Sequence, residues 1–489
     1  MTSQRVLDIF KEILTIPRES GHEELIDKWL VDWAAEHKLA CKTDKAGNVC
    51  IIKEAAPGKE NVPAIVLQSH MDMVCEKNDG VEHDFAKDPI KAVVEDGWLV
   101  AKDTTLGADC GIGIAASLAV LEDENLKLGK VEAIFTVSEE TALVGANAME
   151  ADFFSGKILI NLDSEDEGEL FIGCSGGMRT MGTFTYTTYP ATDEYMKCEF
   201  KIHGAQGGHS GDDIDKNRAN AVKLLGRFLV KLINKFDIEL YEIGGGNKDN
   251  AIAREAHAVI GFSKRNSKAI LRIWKDFVET IKLEYKSSDA GIDGFVGEVG
   301  IKDVKSGRMM GSPKKFIDPF TASNVIRTLA GMPHGVIAMS NDIKGLVETS
   351  TNLASVKMLP RNRIAIETSQ RSSLDHMITT VSEQVEAVFD LACADVKRFG
   401  RYPGWQPKLE SDILEITKAS YRKLFGNEPV VRAIHAGLEC GLFLNKMPDL
   451  DMISFGPTLR SVHAPGEKLN LATLDKFVVL LEDVVKSVK

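Results

Sequence analysis

No stretch of this sequence approaches the ~20 uninterrupted apolar residues that a membrane span requires. A surplus of positive charge is also missing: Lys+Arg number 59 against 72 Asp+Glu, a net charge of −13, so the electrostatic footprint needed for nucleic acid or an anionic membrane is absent. The eight cysteines, at 41, 50, 75, 110, 174, 198, 393 and 440, are scattered and form no CxxC pair, which excludes a disulfide framework and a structural zinc knuckle. No fixed-period repeat, proline-rich linker or low-complexity tract is present, so solenoids and tethered arrays are excluded too. Residues 4–15 read as an amphipathic helix with charges throughout, capped by Ser3, and not as the apolar core of a secretory leader. The expectation is a cytoplasmic protein with reduced thiols and a small-molecule or peptide partner.

What is present is a chain of 489 residues, enough for two to four packing units at ~150 residues each. Apolar residues at 44% and charged residues at 27% support a large buried core. From residue 1 to 186 helical patterns over 4–15, 22–37 and 112–122 alternate with apolar runs at 62–67, 131–137 and 158–162. Strands that read as unbroken apolar runs are buried on both faces, which predicts an α/β domain with a mainly parallel, mixed sheet covered by helices. Between 187 and 400 the grammar becomes α+β, with strand patterns at 199–202, 256–262, 346–358 and 363–368 and helices over 219–236 and 268–286. That length is roughly twice a minimal ferredoxin-like unit and fits two such units in tandem as an inserted α+β domain. From 401 to 489 the α/β pattern returns, with a helix over 410–425, a strand at 452–455 and a helix over 473–486, and completes the first domain.

Acidic and histidine residues follow the apolar runs. The run at 62–67 leads to His70 and Asp72, that at 131–137 to Glu139 and Glu140, that at 158–162 to Asp163, and that at 452–455 through Gly456-Pro457 to His463. A glycine-rich turn, 104–113, adds Asp109 just before a helix. In an open α/β sheet ligands collect beyond the carboxyl ends of the strands, so these segments deliver their polar groups to one edge. Two imidazoles among carboxylates suit Zn²⁺, Mn²⁺ or Co²⁺ better than calcium or a thiolate site. The donors outnumber the needs of one tetrahedral ion, and Asp109 is available as a bridge, so a pair of ions ~3.5–4 Å apart fits, with a shared water as nucleophile.

Each residue taken singly also has a plainer explanation. A lone His70 or His463 is more often a hydrogen-bonded structural histidine than a ligand, and Glu139-Glu140 or the acidic run after Asp163 is more often a solvated strand end. The turn 104–113 lacks the GxGxxG order and a Walker lysine, and an aspartate there opposes phosphate. No GxSxG elbow is present. The joint pattern outweighs the single readings.

The motifs Leu67-Gln68-Ser69-His70-Met71-Asp72-Met73-Val74, 104–113, Ser138-Glu139-Glu140, Asn161-Leu162-Asp163-Ser164-Glu165 and Gly207-Gly208-His209-Ser210-Gly211 resemble those of the co-catalytic metallopeptidases that include aminoacylase and glutamate carboxypeptidase relatives. The narrower motifs 402–407 and 434–443 are most similar to the cytosolic aminoacyl-histidine (Xaa-His) dipeptidases, a carnosinase-type group. The resemblance implies a dinuclear metallo-dipeptidase. One ion would be held by His70 and Asp163, the other by Glu140 and His463, with Asp109 bridging and zinc ahead of cobalt or manganese. Asp72 would orient His70, and Glu139 would act as general base. His209 would stabilise the oxyanion, Asn250 and Arg371 would grip the terminal carboxylate, and Gly437 with Glu439 would recognise the free amine. A structural salt bridge is an equal reading of Arg371. The resemblance also implies that the inserted domain is a lid or dimerisation domain, with a homodimer formed through it. Cys110 stands where relatives usually have Asn, and Ala251 follows Asn250 where Pro is common.

Two other functions remain open on sequence alone: an amidohydrolase acting on N-acyl amino acids, and a catalytically silent metal-stabilised scaffold.

Overall fold

The computed structural model describes residues 1–141, 143–299 and 313–489. The chain divides into two compact units. One comprises Met1–Cys174, Trp405–Ala433 and Leu438–Lys489, and the other Ser175–Gly404 with Ile434–Gly437. The change of unit therefore comes earlier than the expected 186/187. The reason is the strand Gly176–Thr185, which pairs along its whole length with Arg363–Ser372 and so belongs to the second unit's sheet. The far boundary falls at Gly404, not 400, and the short return of Ile434–Gly437 to the second unit left no mark in the sequence pattern.

The first unit is built on an eight-stranded sheet. Its centre is four parallel strands in the order Val131–Thr136, Ile65–His70, Ile158–Asn161 and Asp451–Ser454. The first three are the apolar runs read from the sequence, and Val131–Thr136 and Ile65–His70 are buried at every position. Parallel pairing joins these four strands to one another. On one side Val49–Lys53 and Ala40–Thr43 join antiparallel, and on the other Glu169–Cys174 meets Asp451–Ser454 antiparallel. The sheet is thus mixed, with parallel order at its centre, where the carboxyl ends converge.

The helix Ser3–Ile13 buries Val6, Ile9, Phe10 and Ile13, the i, i+3, i+4, i+7 stripe of an amphipathic helix. Its cap is Thr2 and not Ser3: the Thr2 hydroxyl accepts from the Arg5 amide at 3.2 Å. The helix Ala108–Glu122 is buried almost all round, and its first residues, Asp109 and Cys110, depart from helical geometry and are joined by a cis peptide bond.

The second unit carries one eleven-stranded sheet. Tyr195–His203, Ala221–Ile233, Ile238–Gly245, Ala256–Ser263, Ser267–Glu284 and Asp293–Glu298 run β-α-β-β-α-β, with the strands side by side in the order fourth, first, third, second. Gly176–Thr185, Pro319–Gly331, Val347–Leu359, Arg363–Ser372, Asp375–Leu391 and Asp395–Tyr402 repeat that arrangement. There are two ferredoxin-like halves, but they are nested and not in tandem, because the first is inserted after the opening strand of the second. Their second strands meet at Gly245 and Val356, making the sheet continuous. The core beneath it is aromatic at its centre, where Phe228 packs against Phe200, Trp274 and Phe277 with ring centroids 5.1, 4.6 and 5.5 Å away. Among the described residues no helix is long and apolar enough to cross a membrane.

Candidate metal centre

Because the central strands are parallel, their carboxyl ends open on one edge of the sheet, and the polar residues that follow them meet there. His70 ends its strand, and its Nε2 lies 2.9 Å from Asp109 Oδ1 and 3.3 Å from Asp163 Oδ1. His463, at φ 62° in the loop after Leu459–Arg460, places Nε2 3.1 Å from Asp109 Oδ2 and 2.8 Å from Glu140 Oε1. Candidate ligand atoms fall into groups within 4.8 Å of one another: His70, Asp109, Cys110 and Asp163; Asp109, Glu140 and His463; and His70, Glu139 and Glu140. The first two share Asp109, whose two oxygens face different histidines.

The donor set fits divalent cations. Burial pushes the Asp163 carboxyl up to about 7, with Asp109 adding to the rise and His70 opposing it. Glu139 is driven well above the carboxylate range by burial, against the pull of His70 and with the help of Asp163, Glu140 and Glu439. Asp163 Oδ1 is buried, with His70 Nε2 at 3.3 Å as its charged neighbour among the described residues. Several carboxylates crowded out of water stay ionised together only if a cation compensates them. Cys110 is different in kind: its thiol is buried, raised far above its ordinary pKa, and lies 3.3 Å from the Leu162 carbonyl, so it sits here as a protonated donor.

Asp72 organises the neighbouring loop. Its Oδ1 is 3.3 Å from His70 Nδ1 and accepts from the Glu139 amide at 3.0 Å, and its Oδ2 accepts from the Glu140 amide at 3.2 Å and from the Ser20 hydroxyl at 2.7 Å. Fully buried, it is nevertheless lowered to about 2, because the bonds from His70 and Ser20 outweigh the cost of burial. One carboxylate therefore steadies both an imidazole and the backbone of the Glu139-Glu140 pair.

A sequence profile of peptidase family M20/M25/M40 matches residues 66–487, a span that includes every one of these candidate ligands. The chain belongs to this peptidase family. It is 36% identical over 488 residues to the cytosol non-specific dipeptidase of Escherichia coli, covering 100% of this chain and 98% of that protein. The crystal structure of an aminoacylhistidine dipeptidase from Vibrio alginolyticus superposes with a TM-score of 0.88 at 36% identity, covering 99% of this chain and 96% of that one. Aminopeptidase PepT from Bacillus cereus, at 17% identity and a TM-score of 0.58 over 100% of this chain and 99% of that one, shares the fold. As an M20 peptidase the chain is a peptide hydrolase.

Beneath the ligands of this M20 centre runs a polar ladder that sequence reading missed. Gln68, two residues before His70 on the same strand, and Asn161, which ends the strand leading to Asp163, are bonded to each other at 2.6 Å. Gln68 Nε2 and Thr136 Oγ1 both donate to Glu439 Oε2, at 2.6 and 2.7 Å. Glu439 was expected to meet a substrate amine. Instead it is completely buried and one of its oxygens is taken by this ladder, so it supports the centre from below. The advance signal was the period-2 spacing of Gln68 to His70 along one strand.

The remaining candidates lie in the second unit. Arg371 Nη1 donates to the Tyr402 hydroxyl at 3.0 Å, and Nη2 lies 3.5 Å from His209 Nε2. Arg371 makes no salt bridge among the described residues and its buried Nε has no partner, so the salt-bridge reading of this residue fails. Asp212 orients His209: its amide donates to Nδ1 at 3.2 Å and its carboxylate lies 3.3 Å away. Asn250 is exposed and its carbonyl accepts from the Ser210 amide at 2.8 Å, whereas Gly437 packs so that an added Cβ would stand 2.9 Å from the Tyr402 ring.

Buried His435 belongs to the same cluster, with Nε2 2.7 Å from Ser350 Oγ. Burial, aided by the charge of Arg371, depresses its pKa to about 3. An unfolded histidine titrates at ~6.5, so on acidification the unfolded chain takes the proton first. The stability due to neutral His435 is whole above that value and is lost towards pH 3, at up to ~1.4 kcal/mol per pH unit. In urea unfolding, the gap between the wild type and His435→Asn should narrow from pH 7.5 to pH 5. A gap independent of pH would show that His435 is not held neutral.

Proposed function

We propose that this M20 peptidase is a cytoplasmic, metal-dependent dipeptidase that hydrolyses unblocked dipeptides, Xaa-His peptides among them. The observation that carries the reading is the pair of ligand groups sharing Asp109, in a chain similar over its full length to a cytosol non-specific dipeptidase. In this reading His70 and Asp163 would hold one ion and Glu140 and His463 the other, with Asp109 shared between them. Two divalent ions, zinc first, supply Lewis acidity that polarises the scissile carbonyl and makes a water acidic near neutral pH. Glu139 takes the proton of the attacking water and hands it to the leaving amine, a task suited to a carboxyl whose proton affinity burial has raised. Asp72 keeps the His70 ring and the Glu139 backbone in register. From the second unit, His209 is assigned to the developing oxyanion and Arg371, free of any salt bridge among the described residues, to the substrate's terminal carboxylate, with Asn250 assisting. Assembly as a homodimer through the second, inserted unit is part of the same proposal.

The N-acyl amidohydrolase alternative is not favoured, since the two full-length relatives at 36% identity are dipeptidases. The test is a metal-replete screen of free-amine dipeptides beside their N-acetylated forms and tripeptides. Turnover should be confined to the free dipeptides, with kcat/KM falling at least ~10-fold on acetylation, which corresponds to ~1.4 kcal/mol in the transition state. Faster cleavage of the acetylated forms would reverse the assignment.

A further inference from the structure

Arg18 and Glu467 are charged side chains of the first unit that are almost wholly buried, at 1% and 2% exposure, and belong to none of the ligand groups. They lie on opposite sides of the turn 106–109 that delivers Asp109. Glu467 Oε2 accepts from the Leu106 and Gly107 amides at 2.7 and 2.9 Å, and its Oε1 from the Ala108 amide at 2.8 Å. Arg18 Nη2 donates to the Gly107 carbonyl, while Nη1 donates to the Met71 and Asp72 carbonyls at 3.0 and 2.9 Å. Gly107 is thus held by its N–H from one side and by its C=O from the other. Its φ of 69° and the Arg18 guanidinium, into which a Cβ would run, explain why glycine stands there.

The partners of these bonds give the arrangement its meaning. Met71 and Asp72 directly follow His70, so Arg18 ties the Asp109 turn to the segment of the first ligand group. Glu467 lies four residues after His463, so its carboxylate ties the same turn to the segment of the second. We propose that Arg18 and Glu467 are positioning residues that clamp the Asp109 turn between the two ligand groups and set how tightly the centre holds its metal. The proposal rests on the metallopeptidase reading above. Groups behind metal ligands typically change affinity ~10–100-fold when altered, and a clamp acting on the shared carboxylate affects both ions.

Alanine at either position would strand the opposite charge in the interior and could prevent folding, so the variants are Arg18→Lys, Glu467→Gln and their combination, with Gly107→Ala as an independent disturbance of the turn. Zn²⁺ affinity of the metal-free protein is measured by competition with a chromophoric chelator, together with the visible spectrum of the Co²⁺ form and the thermal midpoint of the metal-free protein. The expected result is a ~10–100-fold loss of Zn²⁺ affinity and an altered Co²⁺ spectrum in each foldable variant, with the metal-free midpoint little changed. The double variant should lose less than the product of the single losses, because both residues act through one turn. Affinities within about two-fold of the parent, or a loss matched by an equally weakened metal-free protein, would overturn the clamp. An unsubstituted chain that binds no ion would instead overturn the metallopeptidase reading.

Discussion

Glu139→Ala should lower kcat by ~10²–10⁴ while the purified protein retains its full complement of metal. The side chain belongs to the group formed with His70 and Glu140, yet its neighbour Glu140, and not Glu139, lies against His463 and so within reach of the ligands around Asp109. Its backbone is held by Asp72, so truncation removes the carboxyl without releasing the loop. Burial, with Asp163, Glu140 and Glu439 adding negative charge, raises its proton affinity against the opposing effect of His70. A carboxyl with those surroundings accepts a proton readily and can return it to an amine. Steady-state kinetics and elemental analysis of the same preparation decide the matter. Loss of metal along with activity would make Glu139 a ligand and leave the role of base unfilled.

Exhaustive chelation should abolish dipeptide hydrolysis, and re-addition of Zn²⁺, Co²⁺ or Mn²⁺ should restore it. Without ions, His70 and His463 are the only cationic partners of Asp109, Glu140 and Asp163 among the described residues. Both histidines are then held protonated: His463 is raised to about 11 by Asp109 and Glu140 despite its burial, and His70 is raised well above its ordinary value against the same cost. Metal binding must expel those protons, so affinity should weaken as pH falls. Ions that bind only the folded chain should also raise stability, by ~2.7 kcal/mol at a free concentration 100 times Kd. A calorimetric scan with and without metal measures that term. Hydrolysis that continues at full rate in protein shown by elemental analysis to be metal-free would dismiss the metal-dependent mechanism.

How far this site could be read in advance depended on whether its signal was local. The strands 131–137 and 158–162 and the helices near both ends showed themselves through hydrophobic periodicity, and every proposed ligand but His463, which lies in the loop after Leu459–Arg460, sat just beyond such a run or in the turn 104–113. Two helices of the second unit, Pro319–Gly331 and Asp375–Leu391, were passed over, although Asp318-Pro319 is a helix-start signal and the Asp318 carboxylate caps the first by accepting from the Thr321 amide at 2.9 Å. The nested order of the two ferredoxin-like halves was not legible at all, because the pairing of Gly176–Thr185 with Arg363–Ser372 joins segments far apart in the chain.

By itself the sequence determined the chemical inventory: which residues follow the buried strands, that nitrogen and oxygen donors dominate them, and that the charge balance disfavours nucleic acid. Only the tertiary structure decided which of those residues share a centre, that Glu439 lies under it in a polar ladder, that Arg371 lacks a salt bridge among the described residues, and that Arg18 and Glu467 grip one turn from both sides. The physical reason is that hydrophobic period and turn chemistry are properties of neighbours along the chain. Hydrogen bonds between residues hundreds of positions apart, such as Glu467 to Leu106, come into being only when the strands are laid side by side.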